Sequence, residues 1–399
     1  MIKTRISLAI AVLAFAGCAD KETMTENPAE RAAEIAHAHI LVDGHVDVPY
    51  RMMDERYEDI SQRTIGGDFD FVRAKEGGLD APFMSIYIAK EYQKTGGAKA
   101  HAIELIELVE SFQEKWPDKF AIAKSPEDVR SNFEKGIISL PMGMENGAGL
   151  EDDLANVKYF RDRGISYITL THGWDNLICD SSYDSTHTWG GLSDYGRAVV
   201  AEMNKAGIMV DVSHVSDEAF YQAVDLSTVP VIASHSSMRS FTPGWERNMS
   251  DEMLKALADK GGVAMINFGS SFLRGEYQGQ GDPVEEKIKK YLEDNDIDRD
   301  SDEGFKYYSE QRKANPIGTL DDVVAHIDHA VQLVGIDHVG LGSDYDGVTF
   351  LPDGLEDVSE YPNLIEALLE KGYSEQDIAK IMGGNVLRVW GEVRSAATI

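Results

Sequence analysis

The stretch 208-IMVDVSHVSDEAFYQAVDLSTVPVIASHSS-237 carries the pattern on which the fold turns. A largely apolar run over 208–215 contains Asp211-Val-Ser-His214 at its end. Helical periodicity follows over 217–224, and a second apolar run over 229–236 closes on Ser234-His235-Ser-Ser237. Short apolar runs without polar alternation read as strands covered on both faces, and a helix between two of them makes a crossover between parallel neighbours. The same alternation recurs in both directions along the chain. Further runs occupy 40–48, 83–89, 137–144, 167–172, 262–268 and 338–345, with helical segments at 100–112, 154–163, 195–206, 251–260 and 320–334. Eight β-then-α units predict an α/β fold, a TIM-like (β/α)8 barrel.

A chain of 399 residues, 43% of them hydrophobic, can bury so large a core, and residues 31–399 are expected to form the single barrel domain. Lys and Arg number 38 against 69 Asp and Glu, a net charge of −31, which argues against nucleic acid and acidic lipid headgroups as partners. At the N-terminus, Lys3 and Arg5 precede an apolar run over 6–16, too short to span a bilayer, and then Gly17-Cys18. Leu13-Ala-Phe-Ala-Gly-Cys18 resembles a bacterial lipoprotein cleavage box, although Phe15 stands where Leu is usual. Residues 1–17 are therefore expected to be a signal peptide, Cys18 the lipidated first residue, and 18–30 a polar tether. The protein is expected to be exported and held to the cell envelope, facing the periplasm, by that lipid alone. Ala19 after the lipidated Cys points to the outer membrane. Lipidation of Cys18 leaves Cys179 without a disulfide partner, and it reads as a buried small hydrophobe.

Residues 270–316 form a hydrophilic insertion after the seventh strand, where barrel enzymes carry lids or subunit contacts, the latter implying a homodimer. Its acidic string 294–302 lacks the Gly and Glu of a calcium loop and reads as solvated surface.

Barrel sites form where strands end, so the residues at those places decide the functional reading. The first strand ends in Asp43-Gly-His45-Val-Asp47, the third in Gly143-Met-Glu145-Asn-Gly147, the fourth in Thr171-His172-Gly173 and the eighth in Gly342-Ser-Asp344-Tyr-Asp346. His45 and Asp47 are two apart on a strand, leave the same face and can converge on one cation. Imidazole nitrogen and carboxylate oxygen together suit zinc or a similar first-row ion. His214 and His235 end adjacent strands and can hold a second ion, with Glu145 as the bridge. A water between two such ions becomes a hydroxide near neutral pH while the pair polarises a carbonyl, which predicts hydrolysis of a small peptide or amide. One such histidine alone is more often a satisfied hydrogen-bonding group, and it is the convergence that makes these ligands. His326, His329 and His338 lie in a helix or at the far face, and His37, His39, His101 and His187 lack a carboxylate at ligand spacing, so all are read as structural. Asp43 and Asp211 are expected beside the site in supporting roles.

His45-x-Asp47, Glu145, His214, His235 and the run Gly340-Leu-Gly-Ser-Asp344-Tyr-Asp-Gly347 resemble the membrane (renal) dipeptidase family in order and spacing as well as identity. The resemblance runs from about Ala32 to Trp390 and includes Gly384-Asn-Val-Leu-Arg388-Val-Trp390. It implies a barrel of the metal-dependent hydrolase type and zinc-dependent hydrolysis of free dipeptides, including those with a C-terminal D-residue, with β-lactam opening in some members. It also implies two Zn2+ per subunit, replaceable by other first-row ions: one on His45 and Asp47, one on His214 and His235, and Glu145 on both. His172 would steady the substrate carbonyl oxygen, and Arg247 would grip the dipeptide carboxylate from one residue-length away. Asp344 would shuttle the proton from water to leaving amine, with Glu145 as the alternative. The chain departs from the animal members in a 235–247 stretch about one residue longer and in the larger insertion, so Arg239 and Arg274 stand as alternatives to Arg247. A related two-metal barrel acting on acylated amino acids or lactones is the competing enzyme reading, and a solute-binding lipoprotein the non-enzymatic one.

Overall fold

The apolar runs become strands because both of their faces are covered. A computed structural model describes residues 27–399, so the signal peptide, Cys18 and most of the tether lie outside the described residues. The strands are β1 (Leu41–Val46), β2 (Leu79–Tyr87), β3 (Phe120–Ile122), β4 (Ile138–Leu140), β5 (Met142–Glu145), β6 (Ile165–Thr169), β7 (Met209–Asp211), β8 (Ile232–Ala233), β9 (Val263–Ile266) and β10 (Val339–Leu341). One parallel sheet runs β1-β2-β5-β6-β7-β8-β9-β10. A parallel bridge between Val46 and Tyr345 joins its two edges. Asp344 N–H donates to the His45 carbonyl (3.0 Å) and Asp47 N–H to the Tyr345 carbonyl (2.8 Å), so the seam of the barrel runs through segments 45–47 and 344–345.

One expected strand is corrected. The run 137–144 is two strands: β4 pairs with β3 in a separate two-stranded sheet, while β5 enters the barrel between β2 and β6. Pro141 stands between them and has no N–H with which to continue a ladder.

The crossover helices form close to where periodicity places them, at Ala98–Lys115, Ala155–Arg163, Asp194–Ala206, Asp217–Leu226, Asp251–Asp259 and Leu320–Val334. Several share one start signal. Ser193, Ser216 and Ser250 each accept an N–H three residues on, and an Asp follows each serine where the helix dipole favours negative charge.

Inside the barrel, rings form a column toward the mouth. Trp390, from the C-terminal helix, lies 5.3 Å from Phe83, which lies 5.4 Å from Tyr167. Gly143 makes the next step possible, because a Cβ there would sit 1.9 Å from the Tyr167 ring. Tyr167 then reaches His45.

The insertion is helical where composition alone reads as loop. Ser270–Leu273, Asp282–Asp294 and Asp302–Lys313 are helices, and Ile288, Leu292 and Phe305 are buried. The acidic string falls between the last two, apart from their end residues. Among the described residues, no helix is long and apolar enough to cross a membrane.

Candidate metal centre

The ends of the barrel strands, with His45 and Glu145, and the loops that follow, with Asp47, His214 and His235, bring the predicted ligands together. The two oxygens of Glu145 divide the cluster. Oε2 lies 3.3 Å from His45 Nε2, which is itself 3.3 Å from Asp47 Oδ2. Oε1 lies 3.1 Å from His214 Nε2 and 3.4 Å from His235 Nε2. Glu145 thus stands between the two predicted pairs, and His235 also comes close to His45, since His45, Glu145 and His235 group with donor atoms within 4.8 Å of one another. Two further residues enter at ligand distance: His172 groups with Glu145 and His214, and Asp344 with His45 and Asp47, each group having its donor atoms within 4.8 Å of one another.

Neighbouring groups decide which imidazole nitrogen faces this point. The Tyr167 hydroxyl donates its single proton to the Gly44 carbonyl (3.1 Å), so its oxygen must accept from His45 Nδ1 (2.8 Å). Ser234 donates its proton to Asp211 Oδ2 (2.6 Å) and therefore accepts from His235 Nδ1 (2.7 Å). Both rings thus carry hydrogen on Nδ1 and turn Nε2 toward the carboxylates, the arrangement that orients metal-binding histidines. His45 Nε2 is buried without a hydrogen-bond partner, an orphaned atom that fits a cation site. Asp211 also accepts from Thr169, Ser213 N–H and Ser234 N–H. Asp43 accepts from Ser343, Tyr361 and His45 N–H, so both aspartates brace the strands behind the ligands.

At Glu145, His214 and His235 the electrostatics favour the forms that can bind a cation. Burial would raise Glu145, but His45, His172, His214 and His235 hold it well below the usual carboxylate range. Burial pushes His214 well below its ordinary value, helped by Arg247, and His235 likewise, helped by His45. His45 goes the other way: against burial, Tyr167, Glu145 and Asp47 raise it well above its ordinary value, so the cluster demands positive charge there. Asp344 is pushed up to about 7 by burial, with His45 opposing and Asp47 and Glu145 adding to the rise, while its Oδ2 accepts from Asn267 Nδ2 at 2.8 Å. His214 and Asp344 both have left-handed backbone, φ 69° and 66°, and such strain collects at functional sites. Gly347 keeps the loop close: a Cβ there would lie 2.1 Å from Asp47 Oδ2 and 2.6 Å from Asp344 Oδ1.

Arg247 is buried rather than exposed in a surface ion pair. It donates to Ser236 Oγ (2.7 Å) and the His235 carbonyl (2.8 Å), and one amino group lies 3.0 Å from His214 Nε2. It therefore sits against a predicted ligand, closer than the one residue-length expected of it. The alternatives are engaged elsewhere, Arg239 with Asp217 and Arg274 with Asp322. Five of the histidines read as structural are packed or bonded away from the cluster: His326 between Met238 N–H and the Leu273 carbonyl, His329 on Asp251, His338 on the Gly262 carbonyl, His39 on Glu375 and His101 stacked on Tyr92, while His37 and His187 are exposed. Cys179 is buried and its thiol is raised well above the ordinary value by that burial, which suits packing and not nucleophilic attack.

Above the cluster lies a cavity of about 520 Å3 lined by Asp47, Glu145, His172 and Asp344 from the barrel and by Phe272, Tyr277 and Glu285 from the insertion. The insertion thus walls the site. Sequence reasoning did not find Tyr167, Ser234, Ser236 or Asn267. Ser234 had a signal, since it directly precedes a predicted ligand, whereas Tyr167 and Asn267 act across the barrel.

Residues 29–398 match the profile of a family described as Membrane dipeptidase (Peptidase family M19). An uncharacterized dipeptidase of Schizosaccharomyces pombe is 31% identical over 406 residues, covering 98% of this chain and 90% of the relative. The crystal structure of the probable dipeptidase PvdM from Pseudomonas aeruginosa aligns with TM-score 0.77 and 28% identity, over 93% of this chain and 99% of that one. A metallopeptidase from Rhodobacter sphaeroides, liganded with a phosphinate mimic of the dipeptide L-Ala-D-Ala, aligns with TM-score 0.72 and 25% identity over 89% and 99%.

Proposed function

The chain belongs to the membrane dipeptidase family of metallopeptidases, and from that premise we propose a binuclear zinc dipeptidase that acts on free dipeptides, those with a C-terminal D-residue included. One observation carries the reading: Glu145 turns one oxygen to His45 and the other to His214 and His235, with a buried guanidinium beside the second pair. His45 and Asp47 would hold one ion and His214 and His235 the other, with Glu145 placed between the pairs to serve each. When bound, the ions supply Lewis-acid polarisation of the scissile carbonyl and lower the pKa of a water toward neutrality.

The chain's own groups do the rest. His172, partly open to the cavity, faces the substrate carbonyl oxygen and steadies the negative charge that develops on it. Arg247, held by Ser236 and the His235 carbonyl, presents its remaining N–H groups to the terminal carboxylate. Both Glu145 oxygens face imidazoles, which leaves Asp344 to move the proton from water to leaving amine. Asn267 fixes its Oδ2, and the carboxyl borders the cavity.

Metal analysis with a dipeptide panel varying chirality and the free carboxylate tests this reading. Arg247→Ala is expected to raise KM for dipeptides about 100-fold, the loss of a charge-assisted carboxylate contact, with far less effect on a dipeptide amide. Equal effects on both substrates would sink the assignment.

We also propose export and lipid anchoring, on the features of residues 1–18 alone. Fatty-acid labelling that Cys18→Ala abolishes is the expected result, and unlabelled wild-type protein the contrary one.

A further inference from the structure

A second cavity, of about 890 Å3, opens beside the metal centre, and the mechanism above does not use it. Its apolar wall is Tyr92, Trp174, Leu177, Ile178, Tyr183 and Trp189, drawn largely from the loop that follows His172. Leu177, Tyr183 and Trp189 keep 52%, 45% and 45% of their surface exposed, which is unpaid apolar area gathered in one concavity. The wall is held in place. Trp189 Nε1 donates to the Asn176 carbonyl (2.8 Å), Asp175 accepts from Ser181 and Thr188 N–H, and Lys94 Nζ lies 3.6 Å from the Trp174 ring centroid.

Tyr183 borders both cavities. Its ring lies 5.8 Å from that of His214, the imidazole against which the Arg247 guanidinium also rests at 3.0 Å. A dipeptide whose carboxylate rests on Arg247 therefore has its second residue beside Tyr183. We infer that the cavity beyond Tyr183 receives the side chain of the C-terminal residue, and that Leu177 and Trp189 make the enzyme select dipeptides with a large aromatic or aliphatic second residue. This rests on the dipeptidase reading. The size lies within the range of about 300–1,000 Å3 usual for small-molecule sites, and a preformed apolar wall costs little ordering on binding.

The test compares kcat/KM for Ala-Phe and Ala-Ala in wild type, Trp189→Ala and Leu177→Ser. Neither variant touches the metal ligands, and Leu177, whose side chain is exposed, keeps the test valid should loss of the Trp189 hydrogen bond unfold the loop. Wild type is expected to prefer Ala-Phe by about ten-fold or more, the discrimination an apolar pocket gives. Each variant should lower that ratio several-fold while Ala-Ala turnover stays near wild type. A wild-type ratio near one, or a ratio unchanged in a folded variant, overturns the inference alone. No turnover of any dipeptide by zinc-loaded wild type overturns the dipeptidase reading and this inference with it.

Discussion

A single hydroxyl proton settles the tautomer of His235. Because Ser234 gives that proton to Asp211, its oxygen can only accept, and Nε2 is left free for the ligand side. Ser234→Ala removes the acceptor without changing the ring's packing, so the imidazole can carry its proton on either nitrogen. Metal affinity is expected to fall about 10- to 100-fold, the usual effect of losing a group that orients a ligand. A competition titration against a chelator measures this, and unchanged affinity would show that the strand alone orients His235. His45 is held in the same manner by Tyr167, whose position depends on the missing side chain of Gly143.

At the scale of elements, what could be read from sequence follows from which interactions are local. Barrel strands such as 208–215 and 262–268 were legible because burial on both faces erases polar alternation, and helix starts because Ser-Asp caps act within a turn. The three-residue strand β3, and the break at Pro141 that separates β4 from β5, were not, since the pairing of β3 with β4 is decided across the sequence. The cluster was legible because His45, Glu145, His214 and His235 stand at or just beyond strand ends, a place the fold class itself marks. The burial of Arg247 was not, because it depends on how the 236–249 loop lies against the start of the insertion.

His326 fastens those two elements, accepting from Met238 N–H (2.9 Å) and donating to the Leu273 carbonyl (2.9 Å) from within helix Leu320–Val334. Burial lowers it to about 4, with Arg274 and His329 adding to the fall and Asp322 and the Leu273 bond opposing it. Its folded value lies below the unfolded one of about 6.5, so the unfolded chain binds the extra proton between those values. The associated stability is complete above pH 6.5 and lost as pH falls toward 4, up to about 3 kcal/mol. Denaturant midpoints from pH 7.5 to 4.5 should fall for wild type more steeply than for His326→Gln, which starts lower because its amide cannot reach both backbone groups as well. Parallel profiles would remove His326 as the cause.

On the scale of the whole molecule, a net charge of −31 is a cost that the folded state concentrates and the unfolded chain dilutes. Ion pairs such as Lys158–Asp162 and Lys290–Asp294 answer some of it, but they are exposed and individually weak. The excess of 69 acidic over 38 basic residues leaves a net repulsion that salt can screen, because the Debye length shrinks from about 30 Å at 0.01 M to about 8 Å at 0.15 M. The buried bonds behind the ligands, such as those of Asp211 and Asp43, are shielded from solvent and change little over that range. Repulsion should relax first, so metal-loaded protein is expected to gain stability between 0.01 and 0.15 M NaCl. About 1 kcal/mol would raise Tm by about 1 °C in a chain of this length, which calorimetry resolves. A Tm that falls with added salt would mean that attraction among the surface pairs outweighs the repulsion, and that the acidic excess is spread too widely to burden the fold.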